Sequence, residues 1–473
     1  MSFNSYIFIL LFLPIAVLCY FSANRFSKNS LGKWVLVFAS LVFYAYYDLY
    51  CLAIISSITL LNFILGKKLC SSQQKNVLII GIILNVAILA IFKYFSILSD
   101  CIRSILHSGL ELSLIFPLGI SFLTFQQIAY LVDCYRGTVP AHTFSDYLLF
   151  ATFFPKVAQG PIIYHNEFFP QLQNADRSIS FDNMAKGLYS FSIGLSKKVL
   201  LAELLGKIVD FGHGSIHSLN SLEAVLTIFA YTFQLYFDFS GYCDMACGIS
   251  LLFNIELPQN FNSPYKALSI DDFWKRWHIT LTRFLTKYVY IPLGGNRKGV
   301  VRTYVNILIV FLISGIWHGV GLPFLFWGLL HGLAQILRRI FKKAYSFIPK
   351  ILQWFCTFIF VNITWVYFRS TTLGNAHKLF SRIFSGGFSI NAELAESLRQ
   401  NTFISIFAQF IPISYILIGL IAICLDIVLC FPNTASLTKK FRPNIKTLIF
   451  TLLLLLFSIL SLSGVGGFLY TNF

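Results

Sequence analysis

Negative charge is scarce in this sequence. Its 473 residues hold 19 aspartates and glutamates against 36 lysines and arginines, and charged side chains of both signs amount to only 12%. A soluble domain carries about 25%, so a water-exposed globular fold is excluded. Cysteine occurs ten times but never as C-x-x-C, and most copies lie in apolar runs. They read as small buried hydrophobes, including Cys243 and Cys247, which have no histidine or cysteine cluster beside them. No metal site, disulfide framework or bound cofactor is expected. Also missing are G-x-S-x-G, H-E-x-x-H and G-x-x-x-x-G-K-[ST]. Their absence removes the serine elbow, the zinc hydrolase and the phosphate-cradling loop.

Apolar residues are what the chain has in excess: 57% are hydrophobic and 17% aromatic, with a mean hydropathy of +0.73. Runs suited to a hydrocarbon layer of about 30 Å recur from end to end. They lie near 5–23, 34–47, 50–65, 77–99, 117–132, 145–158, 187–209, 221–253 (long enough for two pieces), 303–317, 322–340, 351–368, 403–430 and 447–468. These predict about 11–13 transmembrane or re-entrant helices, some too short to cross alone. No basic residue precedes 5–23, which reads as an uncleaved first helix. With no internal repeat or low-complexity linker, the expectation is one all-α polytopic domain over 1–473.

The formal charge of +17 sits mainly in short loops, the positive-inside pattern. Arg25, Lys28 and Lys33 flank the first run, and Lys67, Lys68 and Lys75 the third. A belt from Lys266 to Arg302, the stretch RRIFKK (338–343) and Lys439, Lys440, Arg442 and Lys446 follow. All are placed on the cytoplasmic face, with both termini outside. The partner implied is membrane lipid; no nucleic-acid motif is present.

Within the belt, Ser269 and Asp272 have the spacing of a capping box. Trp274, Trp277, Leu281 and Phe284 then recur at helical spacing, with Arg276, Arg283 and Lys287 opposite. This predicts an interfacial amphipathic helix on the cytoplasmic face, with His278 on its aromatic side and its cations free to attract an anionic donor.

Candidate chemistry falls to histidine. His318, in ISGIWHGVGLP (313–323), interrupts two apolar runs, where an ionisable side chain is expensive and so points to function. A neutral imidazole can take a proton near pH 7. Gly315 and Gly319, like Gly328 and Gly332, are spaced G-x-x-x-G, letting two helices approach closely around it. The bland alternative is a histidine bonded to a backbone carbonyl in a tight helix pair. His278 is more ambiguous, because a packed, satisfied histidine suits an aromatic helix face equally well. His331, nearer a helix end, has less claim. His165, His213, His217 and His377 fall in polar stretches and read as surface residues. Asp238 and Asp244, in YFDFSGYCDMACGI (236–249), face different ways on a helix and read as anchors of polar networks rather than a carboxylate pair. Lys156 and Gln159, in FFPKVAQGPI (154–163), lie between two prolines that suggest a broken, cavity-lining segment.

Together these stretches resemble a known family. FWKRWHITLTRFLTKYVYIPLGGNRKG followed by SGIWHG is similar to the membrane-bound O-acyltransferase superfamily, within it the bacterial branch that O-acetylates alginate, other exopolysaccharides and peptidoglycan. FNSYIFILLFLP (3–14), PLGISFLTFQQIAYLVDCYRG (117–137), FFPKVAQGPI and YFDFSGYCDMACGI extend the likeness over almost the whole chain; Lys156 and the C-terminal GGFLYTNF depart from it. The resemblance implies helices around a central tunnel, His318 of the W-H-G motif as catalytic base and His278 as the second characteristic histidine. Trp317, Trp274, Arg276, Gln159, Asp238, Asp244 and His331 are the candidates for lining or supporting the tunnel. It further implies a cytoplasmic acyl donor, acetyl-CoA, a cell-envelope polysaccharide acceptor, a separate periplasmic esterase-like partner and a place in the bacterial inner membrane. D-alanyl transfer from a carrier protein to teichoic acid is the alternative within the superfamily. A lipid-linked sugar transporter or flippase is the alternative outside it, disfavoured because no inverted repeat is visible.

Overall fold

Among the described residues, six helices are long and apolar enough to cross a membrane: Ile7–Phe26, Leu49–Ser72, Lys75–Lys93, Val300–His318, Lys350–Arg369 and Ile413–Cys430. Leu31–Tyr47 and Ile445–Leu460 are shorter apolar helices. The computed structural model describes residues 1–26, 31–95, 99, 115–174, 178–462 and 466–468, and every regular element among them is helical. Lys28 and the last residues of GGFLYTNF lie outside the described residues. The outer faces of these helices carry exposed Leu10, Leu18, Phe38, Ile80, Ile83 and Leu460. So large an apolar surface is stable only against lipid, which makes the chain a multi-pass membrane protein.

The apolar run at 221–253 is one 31-residue helix, Ser221–Leu251, rather than two pieces. Asn220 and Glu223 form a reciprocal capping box at its start. The helix is buried along nearly its whole length, so its many polar groups are paid off inside the protein rather than in lipid. Glycine lets its neighbour Phe181–Ser196 lie against it. A Cβ on Gly194 would stand 2.6 Å from the Gly241 carbonyl oxygen, and one on Gly187 would stand 2.7 Å from that of Gly248.

The run at 145–158 is broken, as its prolines suggest. Phe144–Thr152 ends at Phe153, Pro155 opens the one-turn helix Phe154–Val157, and 158–164 continue as buried coil. Gly119, at φ 74°, lies with its α-carbon against the Val157 carbonyl, so the start of Ile120–Tyr135 closes directly on this coil. Residues 369–402 hold two short helices, Leu373–Arg382 and Ala392–Arg399.

Candidate active site

Val300–His318 has 19 residues and is therefore about 28 Å long. His318 is its last residue. Gly319 and Gly321 (φ 125°) make the turn, and Pro323 opens the returning helix Leu322–Ile340. The two helices touch through glycine, since a Cβ on Gly315 would stand 2.5 Å from the Phe324 carbonyl oxygen and one on Gly328 the same distance from that of Phe311. A helix end leaves its last carbonyls without intrahelical donors. Here Tyr94 Oη donates to the Ile316 carbonyl at 2.7 Å and Lys93 Nζ donates to that of Trp317.

His318 is buried, its ring 4.5 Å from that of Trp317, 5.0 Å from Phe368 and 5.2 Å from Trp327. It lines a small pocket, about 30 Å³ in volume, with Tyr47, Lys93, Ser121, Phe122, Gln159 and Trp317. Gln159 is 1% exposed, and neither its amide nitrogen nor its oxygen has a hydrogen-bond partner. The same holds for Ser121 Oγ and Trp317 Nε1. Buried polar groups are normally satisfied. A concentration of unsatisfied ones beside an imidazole marks a place that a polar ligand or water completes.

The helix expected over 269–284 is two: Ile270–Trp274 and Ile279–Leu285. Between them His278 is left-handed, at φ 44°. Backbone amides that would continue the helix are taken elsewhere, Ile279 N–H donating to the Asn260 carbonyl at 2.9 Å, while the Arg276 carbonyl accepts from Asn262 N–H at 2.9 Å. Trp274, Trp277, Leu281 and Phe284 pack into the protein core. His278 is 1% exposed, with Nδ1 at 3.1 Å from Asn260 Oδ1 and Nε2 without a partner. Its ring lies 6.4 Å from that of Trp317, so the two histidines flank one indole.

His331 is different. Trp274 Nε1 donates to its Nδ1 at 3.2 Å and its Nε2 lies 3.1 Å from Thr364 Oγ1. Both ring nitrogens are spent on protein, and His331 with Trp274 is a packing unit. Asp238 pairs with Lys198 at 2.8 Å, and Asp244 with Lys197 at 2.6 Å and Thr434 Oγ1 at 2.6 Å. Both acids anchor the central helix and neither lines the His318 pocket. Arg276 pairs with Asp272 at 2.7 Å. Arg283 grips Glu167 with two bonds, and Lys287 meets the buried Asp133 at 2.8 Å. The belt cations expected to be free are held by carboxylates.

Two readings of surface histidines are corrected. His165 is buried in the helix His165–Asn174, 3.8 Å from Asp133, and burial pushes its imidazole down to about 4. His213 is half-buried in Glu203–Gly214. Sequence reasoning missed Lys93, Ser121 and Asn260. Lys93 carried a signal, a lone cation closing an apolar run, whereas Asn260 lies in a polar loop with none. Lys197 and Lys198 could have been found as partners for Asp244 and Asp238.

A second opening runs along the same helix from its other end. A slot of about 250 Å³ lies between Leu281, Leu285, Thr286 and Tyr290 on one side and Ile307, Val310, Phe311 and Ser314 on the other. Its innermost residue, Ser314, is one turn before His318. Arg339 stands at its mouth and also lines an adjoining pocket with Arg338, Lys342 and Asp271.

Residues 139–374 match the family model of the membrane-bound O-acyltransferase family. The chain is 45% identical over 413 residues to a peptidoglycan O-acetyltransferase of Helicobacter pylori, covering 80% of this chain and 78% of that protein. It is 35% identical to a probable alginate O-acetylase of Pseudomonas aeruginosa, over 85% of this chain and 78% of that one. A teichoic acid D-alanyltransferase of Bacillus subtilis is 29% identical over 53% of this chain.

Proposed function

The chain belongs to the membrane-bound O-acyltransferase family, and from that premise we propose that it passes an acetyl group from cytoplasmic acetyl-CoA across the bacterial inner membrane for O-acetylation of an extracytoplasmic polysaccharide, with His318 as general base. Membership makes it an acyltransferase; the acyl group, the direction and the base are the proposal. The names of the two relatives alike over most of the chain, a peptidoglycan O-acetyltransferase and a probable alginate O-acetylase, favour acetyl over D-alanyl.

The observation that carries the reading is the pair of openings on one helix. The apolar slot with cations at its mouth approaches Ser314 from the basic side. The pocket holding His318 and Gln159 lies at the C-terminal end of that helix. A narrow, partly apolar slot suits a thioester arm, and a polar pocket suits a hydroxyl. In the reaction, His318 takes the acceptor hydroxyl proton as that oxygen attacks the thioester carbonyl. The carbon–sulfur bond breaks, and the proton passes from the imidazolium to the leaving thiolate. Gln159 and Lys93 supply hydrogen-bond donors in the same pocket. Holding both reactants beside one base does much of the work. The hydroxyl belongs to a separate esterase-like periplasmic partner that completes transfer to sugar, because the outer segment between Arg369 and Ile413 is far smaller than a domain.

The test is His318→Ala beside His318→Gln. Both variants insert, and both lose at least about 100-fold in acetyl transfer, the lower bound for removing a positioned base. Glutamine keeps volume and hydrogen bonding but takes up no proton, so restoration of activity by glutamine rejects the base.

A further inference from the structure

We propose that Asn260 is a positioning residue that fixes His278 as its Nδ1–H tautomer, leaving Nε2 as a buried acceptor for a substrate O–H or N–H. The assignment follows from which atoms can only donate. The backbone N–H of Thr280 lies 3.2 Å from Asn260 Oδ1, and a peptide N–H has nothing to offer but a proton. That atom is therefore the amide oxygen. Thr280 Oγ1 donates to it as well, at 2.9 Å, and the amide nitrogen turns the other way, 3.3 Å from Cys243 Sγ. His278 Nδ1 is 3.1 Å from the same oxygen, so it carries the proton. A neutral imidazole has one, and Nε2 keeps its lone pair.

That lone pair has no protein donor. Phe122, Phe239 and Trp317 wall the ring, at centroid distances of 6.1, 4.9 and 6.4 Å. His331 shows the opposite arrangement in the same core, with both nitrogens engaged. A buried acceptor left open is costly, and the backbone commits to it: the 260–262 loop bonds to both sides of the left-handed His278. The loop, not the helix, aims this ring.

The hydrogen comes from the acceptor hydroxyl or from an amide in the arm of the thioester donor. This source rests on the acyl-transfer reading; the tautomer does not. Full-length protein labelled with ¹⁵N-histidine in lipid nanodiscs, compared with His278→Gln, identifies the His278 nitrogens. Wild type shows a protonated Nδ1 and an unprotonated Nε2, and Asn260→Ala mixes the tautomers. An Nε2–H form in wild type overturns the assignment even if Asn260→Ala fails to insert. A His278 signal indifferent to Asn260→Ala overturns the positioning role.

Turnover of radiolabelled acetyl-CoA supplies the second readout. Asn260→Ala lowers the rate roughly 10–100-fold, the usual loss when a partner that orients a functional imidazole is removed. In the His278→Gln background it adds less than about twofold, because residues acting as one unit are not additive. A raised KM for acetyl-CoA assigns the hydrogen to the donor arm, and an unchanged KM with a lower saturating rate assigns it to the acceptor. Losses that multiply across the two backgrounds overturn the proposal. Absence of any wild-type turnover rejects acyl transfer while leaving the nitrogen spectrum to stand.

Discussion

Gln159 is the side chain in the His318 pocket whose present state is hardest to justify by stability alone. A carboxamide buried with neither end bonded costs about 1–3 kcal/mol relative to a satisfied or apolar replacement. Gln159→Leu, close in volume and free of that penalty, is therefore expected to raise the thermal midpoint of the purified protein while lowering acetyl transfer at least about 10-fold, the trade seen where a site stores instability for function. A stabilised variant with full activity removes Gln159 from the mechanism. The histidines were visible in the sequence because an ionisable group in an apolar run is conspicuous without any fold. Their roles were less so. His331 is satisfied by Trp274 and Thr364, partners 57 and 33 residues away, and Asn260 gains its meaning only through His278 and Thr280. Such pairings are set by tertiary contact, which no local pattern encodes.

Helices show the same division. The G-x-x-x-G spacing of the His318 hairpin needs only the helical period, and the close crossing at Gly315 and Gly328 follows from it. The interruption at His278 was illegible, since the Ile279 N–H is captured by the Asn260 carbonyl and the Arg276 carbonyl by the Asn262 N–H, both from a loop earlier in the chain. The crossing can be tested against an internal control. Gly328→Ala places a Cβ 2.5 Å from the Phe311 carbonyl, a backbone atom that moves only with its helix. It is expected to destabilise by about 1–3 kcal/mol and to lower activity by displacing His318. Gly419, in the lipid-side helix Ile413–Cys430, has nothing within 4 Å of a built Cβ. Gly419→Ala should stabilise by up to about 1 kcal/mol through helix propensity with activity unchanged. Equal tolerance at both positions in a thermal-shift and activity comparison rules out glycine contact as what sets the hairpin.

At the scale of the whole molecule, composition and loop charge sufficed for a polytopic membrane protein, but they could not say which cations do more than orient it. Counting basic residues made the belt of Arg276, Arg283 and Lys287 the natural attractor for an anionic donor. Each now has a carboxylate, from Asp272, Glu167 and Asp133, so their charges are locally cancelled. The cationic excess lies at the mouth of the apolar slot, where Arg338, Arg339 and Lys342 share a pocket with the single acid Asp271. A field from uncompensated charge raises the local concentration of an anion, and salt of about 0.15 M screens it beyond about 8 Å. The double variant Arg339→Gln, Lys342→Gln is thus expected to raise the KM for acetyl-CoA several-fold at low salt, with the difference from wild type shrinking as salt is added and the saturating rate little changed. Arg283→Gln breaks a bidentate pair that ties the belt to the His165–Asn174 helix. It should lower the thermal midpoint while leaving the salt dependence of KM as in wild type. The reverse pattern, donor KM moved by Arg283 and not by the slot mouth, would return the donor to the belt and separate it from the slot that reaches Ser314.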